Sequence, residues 1–179
     1  MAALSTVIYM LFPEIPLVPG IDYLKLDFSD IPAIIASVTL GPVCAVIVEV
    51  IKNIIHLTVS TSYGIGEIMN IGIGAAVVFS LSLFSKLFAK LLKKDSLNAG
   101  VYYISACISV LLCIIAGWLL NLVFTPVYFM IAGIPLNSTA IFAGVIGSTL
   151  LNTVKAVFNL FPFYPVYFAI YKFFIKING

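Results

Sequence analysis

Between Val101 and Tyr171 the only charged side chain is Lys155. A stretch of that length with one charge cannot present a water-exposed surface all round, and this limits the chain to a lipid environment. Its apolar residues come in continuous runs rather than in period-two alternation, which favours helices over the strands of a membrane barrel. The whole chain of 179 residues is 63% hydrophobic and 9% charged. A membrane span takes about 20 residues. Six spans with short connections fill the length and leave no room for a soluble domain. The expected fold is therefore all-α: one integral-membrane domain over 1–179, a six-transmembrane-helix bundle.

Prolines, glycines and caps divide the runs. Helix 1 is expected over Ala2–Phe12 and is ended by Pro13, Pro16 and Pro19. No basic segment precedes it and no A-x-A site closes it, so it reads as a retained helix rather than a signal peptide. The loop Pro13–Phe28 holds Glu14, Asp22 and Asp27 against Lys25. Ser29 can N-cap helix 2, with Pro32 in the first turn. Helix 2 ends near Leu40–Gly41, and Pro42 opens helix 3, which runs to about Leu57. Helix 4 is expected over Glu67–Leu92 and helix 5 over Val101–Phe124, with breaks at Pro126 and Ala132–Asn137. Helix 6 starts near Thr139, with bends at Pro162 and Pro165.

Lysine placement orients the bundle. Lys86, Lys90, Lys93, Lys94, Lys172 and Lys176 fall on one side of a six-helix path, which the positive-inside rule makes cytoplasmic. Both termini are then cytoplasmic, and the acidic first loop faces outside.

The acids are not spread evenly. Asp22, Asp27, Asp30, Glu49 and Glu67 lie in or beside Leu24–Asn70, with Lys25, Lys52 and the only histidine, His56. Charges in a membrane domain cost about 2.5–3.5 kcal/mol each on insertion scales, so they have a partner or a job. Glu49, Lys52, Asn53 and His56 recur at i, i+3, i+4 and i+7, one stripe of helix 3. Helix 4 offers Glu67 and Asn70, helix 5 Asn121, and helix 6 Asn152, Lys155 and Asn159. These can line a pocket open to the outside. Each also has a plainer reading: Glu49 with Lys52 as a packing ion pair, Glu67 as a helix cap, Asn121 as an interhelical hydrogen-bond residue, and Asp27 and Asp30 as caps beside Ser29. Lys155 is the hardest to explain away, because it sits too deep in helix 6 to snorkel.

Other chemistry is missing from the sequence. There is no GxxxxGK[ST], HExxH or GxSxG motif. The chain is therefore not expected to be an enzyme, nor to hydrolyse ATP. Nine lysines and no arginine make no nucleic-acid surface. Cys44, Cys107 and Cys113 are odd in number, lie inside helices without a CxxC pattern, and read as small core residues. No metal site or cofactor is expected. Gly72 with Ala76, and Ala2, Ala3, Ser5 and Thr6 in helix 1, allow close helix approach, inside the bundle or against a partner.

The run LKLDFSDIPAIIA, then GPVCAVIVEVIKNIIH and GEIMN, resembles the substrate-binding S components of energy-coupling factor (ECF) vitamin transporters, and within them the riboflavin-specific RibU branch. Tyr23–Pro32, Gly41–Pro42, Glu49–Lys52–Asn53 and Gly66–Glu67–Asn70 carry the resemblance, and the Asn152-x-x-Lys155 pair resembles the family's helix 6 motif. The resemblance implies a multi-pass protein of a prokaryotic plasma membrane. It implies riboflavin bound near the outer face under the first loop, and import that depends on a transmembrane coupling subunit and two ATPases. The ligand set it suggests is Lys25, Asp27, Glu49, Lys52, Asn53, Glu67, Asn70, Asn121, Asn152 and Lys155. Ala2, Ala3 and Thr6 are the candidates for docking the coupling subunit, although the A-x-x-x-A face of the family is not matched here. The competing readings are an S component for FMN, a thiamine precursor or pantothenate, and a stand-alone proton-coupled carrier using Glu49, His56 and Glu67.

Overall fold

A computed structural model describes residues 1–11, 15–16, 25–26, 28–60, 62–95, 98–166 and 168. Six helices follow in chain order: α1 (Ala2–Leu11), α2 (Ile31–Thr39), α3 (Pro42–His56), α4 (Ile65–Leu92), α5 (Ala99–Ile131) and α6 (Ser138–Leu160). Between α1 and α2 the chain doubles back in a short antiparallel ladder of β1 (Ile15–Pro16) with β2 (Lys25–Leu26).

Four segments are long and apolar enough to cross a bilayer: Pro42–Val59, Ile65–Leu92, Ala99–Ile131 and Ser138–Val166. The expectation of six helices holds among the described residues. Among the six, α1 has 10 described residues and α2 has 9. At about 1.5 Å per residue, neither reaches across a hydrocarbon core of about 30 Å.

Two boundaries depart from the sequence reading for physical reasons. Helix 5 was expected to stop before Pro126, yet α5 passes through it and ends at Ile131. A proline removes one N–H from the ladder, which neighbouring helices offset in lipid-embedded bundles. The chain turns instead after Ala132, where Gly133 takes φ +68°. Ser29 was expected to cap α2, but Asp30 holds the N-cap position, without a side-chain cap hydrogen bond. Ser29 is buried, and its carbonyl accepts a hydrogen bond from Ser5 Oγ of α1. The carboxylate of Asp30 is committed elsewhere. True side-chain caps occur at Asn98, accepting from Gly100 N at 3.1 Å, and at Asn137, accepting from Ala140 N at 2.6 Å.

α4 packs between α3 and α5, and α6 packs on α5. The core runs through Ala33, Ile34, Val78, Leu81, Tyr102 and Leu160. Tyr102 is fully buried and donates from its hydroxyl to the carbonyl of Leu160 at 2.9 Å. Phe161, Phe163 and Tyr164 gather around Tyr102 and Tyr103. Of the cysteines only Cys113 is in the core. Cys44 and Cys107 face outward, where a lipid-facing surface tolerates them as readily as a core. That surface is made of residues such as Ile47, Ile54, Leu111, Leu119 and Val123. Lys86, Lys90, Lys93 and Lys94 are exposed at the C-terminal end of α4, away from the polar residues at the end where α3 meets α4.

Candidate functional site

Glu49, Lys52 and Asn53 lie on the inner face of α3, and all three are fully buried. One turn of helix separates Glu49 from Lys52 and Asn53, so one face carries an acid, a base and an amide together. Lys52 Nζ lies 2.8 Å from Glu49 Oε2 and also pairs with Asp30 at the start of α2. Asp30 in turn meets α6: Lys155 Nζ is 3.1 Å from Asp30 Oδ2, and Asn159 Nδ2 donates to the same oxygen at 3.3 Å. Asp30 thus joins α2, α3 and α6 through two ammonium groups and an amide.

A chain of amides closes the network through α4. Lys155 Nζ donates to Asn70 Oδ1 at 3.0 Å, Asn70 Nδ2 to Asn53 Oδ1 at 2.9 Å, and Asn53 Nδ2 to the Glu49 carbonyl at 2.8 Å. Each ammonium therefore has more than one acceptor, which buried charge requires. Glu49 Oε1 has no hydrogen-bond partner among the described residues. Such an acceptor is costly in a buried setting unless a donor arrives.

Several of these groups line a small, partly open cleft between the helices. Asp30, Glu49, Asn70, Asn152, Lys155 and Asn159 supply its polar lining, and Ile34, Ile73, Val77, Val78 and Leu160 its apolar walls. Gly74 is part of this wall for a steric reason. A Cβ there would stand 2.6 Å from Glu49 Oε2 and 2.9 Å from its Cδ. Glu49 would have to swing off Lys52. Overpacking of this kind costs about 1–3 kcal/mol, more than the roughly 0.5–1 kcal/mol an alanine gains in a helix. Gly74→Ala is therefore expected to lower the midpoint of thermal unfolding in detergent. Gly147→Ala, where a Cβ meets nothing within 4 Å, is expected to leave it unchanged or raise it.

The remaining candidates sit elsewhere. Glu67 accepts from Ser60 Oγ at 2.8 Å and Ser62 Oγ at 2.9 Å, and lies 2.9 Å from His56 Nδ1. His56 stacks on Tyr9 of α1, with ring centroids 3.7 Å apart. This second cluster ties α1, α3 and α4 together at the end opposite the lysines. Asn121 donates to the Gly117 carbonyl at 2.7 Å and to Thr149 Oγ1 at 3.4 Å, joining α5 to α6 outside the cleft lining. Asn152 lines the cleft while donating to the Ser148 carbonyl at 2.9 Å. Asp27 and the side chain of Lys25 lie outside the described residues. Of the docking candidates, Ala3 is exposed and Ala2 half-buried, whereas Thr6 turns inward and donates to the Ala2 carbonyl at 3.0 Å. Among the described residues no cluster of His, Cys, Asp and Glu could hold a metal ion.

The residue missed as a site member was Asp30. Its place between Ser29 and Pro32 matches a helix start, and nothing in the local pattern announces its lysine partners on two other helices.

Fold and site together define a helical membrane protein with a polar-walled cleft enclosed by its helices. The family model for the substrate-specific component of ECF transporters matches residues 1–174. The chain belongs to that family. Among known proteins, it is 30% identical over 159 residues to the riboflavin transporter FmnP of Bacillus subtilis, an alignment covering 83% of this chain and 77% of that protein. It is 30% identical over 151 residues to the riboflavin transporter RibU of Lactococcus lactis, covering 80% and 67%. A solved structure of the S component of a bacterial ECF transporter shares the fold, with a TM-score of 0.73 and 24% identity over 97% of this chain and 92% of that one.

Proposed function

We propose that this chain is the riboflavin-binding subunit of an ATP-driven ECF importer in a prokaryotic plasma membrane. It takes the vitamin at the outer face and passes it inward together with a transmembrane coupling subunit and two ATPases. The observation that carries the reading is the cleft itself: apolar walls on one side, and a buried ammonium with amides on the other. Riboflavin has that pattern, with a flat aromatic ring, carbonyl and imide edges and an uncharged hydroxylated tail. Relatives that bear the name of riboflavin transporters, aligned over about four-fifths of the chain, support the same choice.

In this reading Lys155 and Asn152 donate to the ring edge, joined by Asn121 once it exchanges its bonds to Gly117 and Thr149. Glu49, Lys52, Asn53 and Asn70 form the floor. Lys25 and Asp27 close over the tail, and Glu67 holds the outer ends of α3 and α4 in place. Both termini face the cytoplasm, and Ala2, Ala3 and Thr6 belong to the helix that meets the coupling subunit. The experiment is riboflavin uptake by cells expressing this chain with the coupling subunit and ATPases. Uptake is expected to stop on ATP depletion with the proton gradient held constant. Uptake that follows the proton gradient instead would establish the stand-alone carrier.

A further inference from the structure

Several polar groups that line the cleft already hydrogen-bond within the protein. Asn70 accepts from Lys155 and donates to Asn53, Asn152 donates to the Ser148 carbonyl, and Asp30 accepts from Asn159. Glu49 differs. Its side chain is fully buried and lines the same cleft. Oε2 lies 2.8 Å from Lys52 Nζ. The carboxylate rests against Gly74, another lining residue, which has no Cβ to displace it. Oε1 has no hydrogen-bond partner among the described residues. A buried acceptor of this kind calls for a donor, and whatever fills the cleft is placed to supply it.

We propose that Glu49 is a specificity-determining residue that accepts a hydrogen bond from the N–H of a ring imide. This rests on the riboflavin reading above and adds the residue that reads the ring's own donor. The isoalloxazine ring carries a single N–H, set between the two carbonyls of its imide edge. In that reading Lys155 and Asn152 donate to this edge, and both line the cleft with Glu49. An ammonium cannot accept the N–H, whereas a carboxylate has only acceptor oxygens. A hydrogen bond to a charged acceptor is also stronger than one between neutral groups. The tail hydroxyls lie under the first loop in the same reading, which leaves the imide N–H as the donor for Glu49.

The test is a binding cycle on the detergent-purified full chain. Riboflavin and riboflavin methylated at the imide nitrogen are each titrated into the wild type and Glu49→Ala. Methylation removes the donor and sets a methyl group against the carboxylate. The wild type is expected to lose about tenfold or more in affinity on methylation. Glu49→Ala removes the acceptor and opens space, so it is expected to bind riboflavin more weakly and to shrink the methylation penalty several-fold. The double variant Glu49→Leu with Lys52→Met removes the same acceptor and serves if Glu49→Ala does not fold. A merely structural role for Glu49 would weaken both flavins equally. A methylation penalty of the same size in the wild type and in a variant that still binds riboflavin therefore overturns this inference and leaves the riboflavin reading standing. A wild type that binds both flavins equally does the same. A wild type that binds neither overturns both.

Discussion

Lys155→Ala is expected to weaken riboflavin binding by roughly 10- to 150-fold. The lysine is 5% exposed, lies in the cleft lining, and reaches both Asp30 Oδ2 and Asn70 Oδ1. A hydrogen bond that involves a charged group contributes about 1.5–3 kcal/mol. Removing the side chain takes away a donor to the ligand and frees Asn70 to turn. The fold is expected to survive, because Asp30 keeps its contacts to Lys52 and Asn159. Isothermal or fluorescence titration of the purified variant measures the loss. Full affinity in a folded Lys155→Ala protein would remove this residue from the site.

Lys52→Met is expected to act on stability more than on binding. Lys52 is fully buried and is the cation shared by Glu49 and Asp30. Without it, Asp30 still has Lys155, but Glu49 is left as an uncompensated carboxylate against Gly74. Breaking a buried ion pair on one side costs about 3–5 kcal/mol, whereas replacing both partners with apolar residues of similar volume is often neutral or better. The double variant Glu49→Leu with Lys52→Met should therefore unfold at a higher temperature than Lys52→Met alone. Thermal unfolding in detergent decides this, and an unperturbed midpoint for the single variant would show that the pair does not hold α3 in place.

How much of this was legible in the sequence differs by element. The α3 stripe was readable, because helical spacing alone puts Glu49, Lys52 and Asn53 on one face, and one buried face of α3 does carry them. Lys155 stood out as the lone charge in a long uncharged stretch. The connections between these stripes were not readable. Asp30 contacts residues up to 129 positions away, and its local pattern S-D-I-P is equally that of a helix cap. Pro126 misled for a related reason. A proline ends helices in water, but within a lipid-embedded bundle the α5 ladder continues past it. Thr6, left open between packing inside the bundle and docking a partner, is buried and donates its hydroxyl to the Ala2 carbonyl of its own helix.

The central claim is that the cleft between α2, α3, α4 and α6 holds riboflavin, and the most direct measurement is an absorbance and fluorescence titration of the detergent-purified chain with that vitamin. The account predicts a preparation that is yellow as isolated, or saturable quenching of riboflavin fluorescence as the ring stacks in the cleft. It also predicts that Lys155→Ala shifts this quenching to higher concentration. A colourless, folded protein that leaves riboflavin fluorescence unchanged would contradict the account.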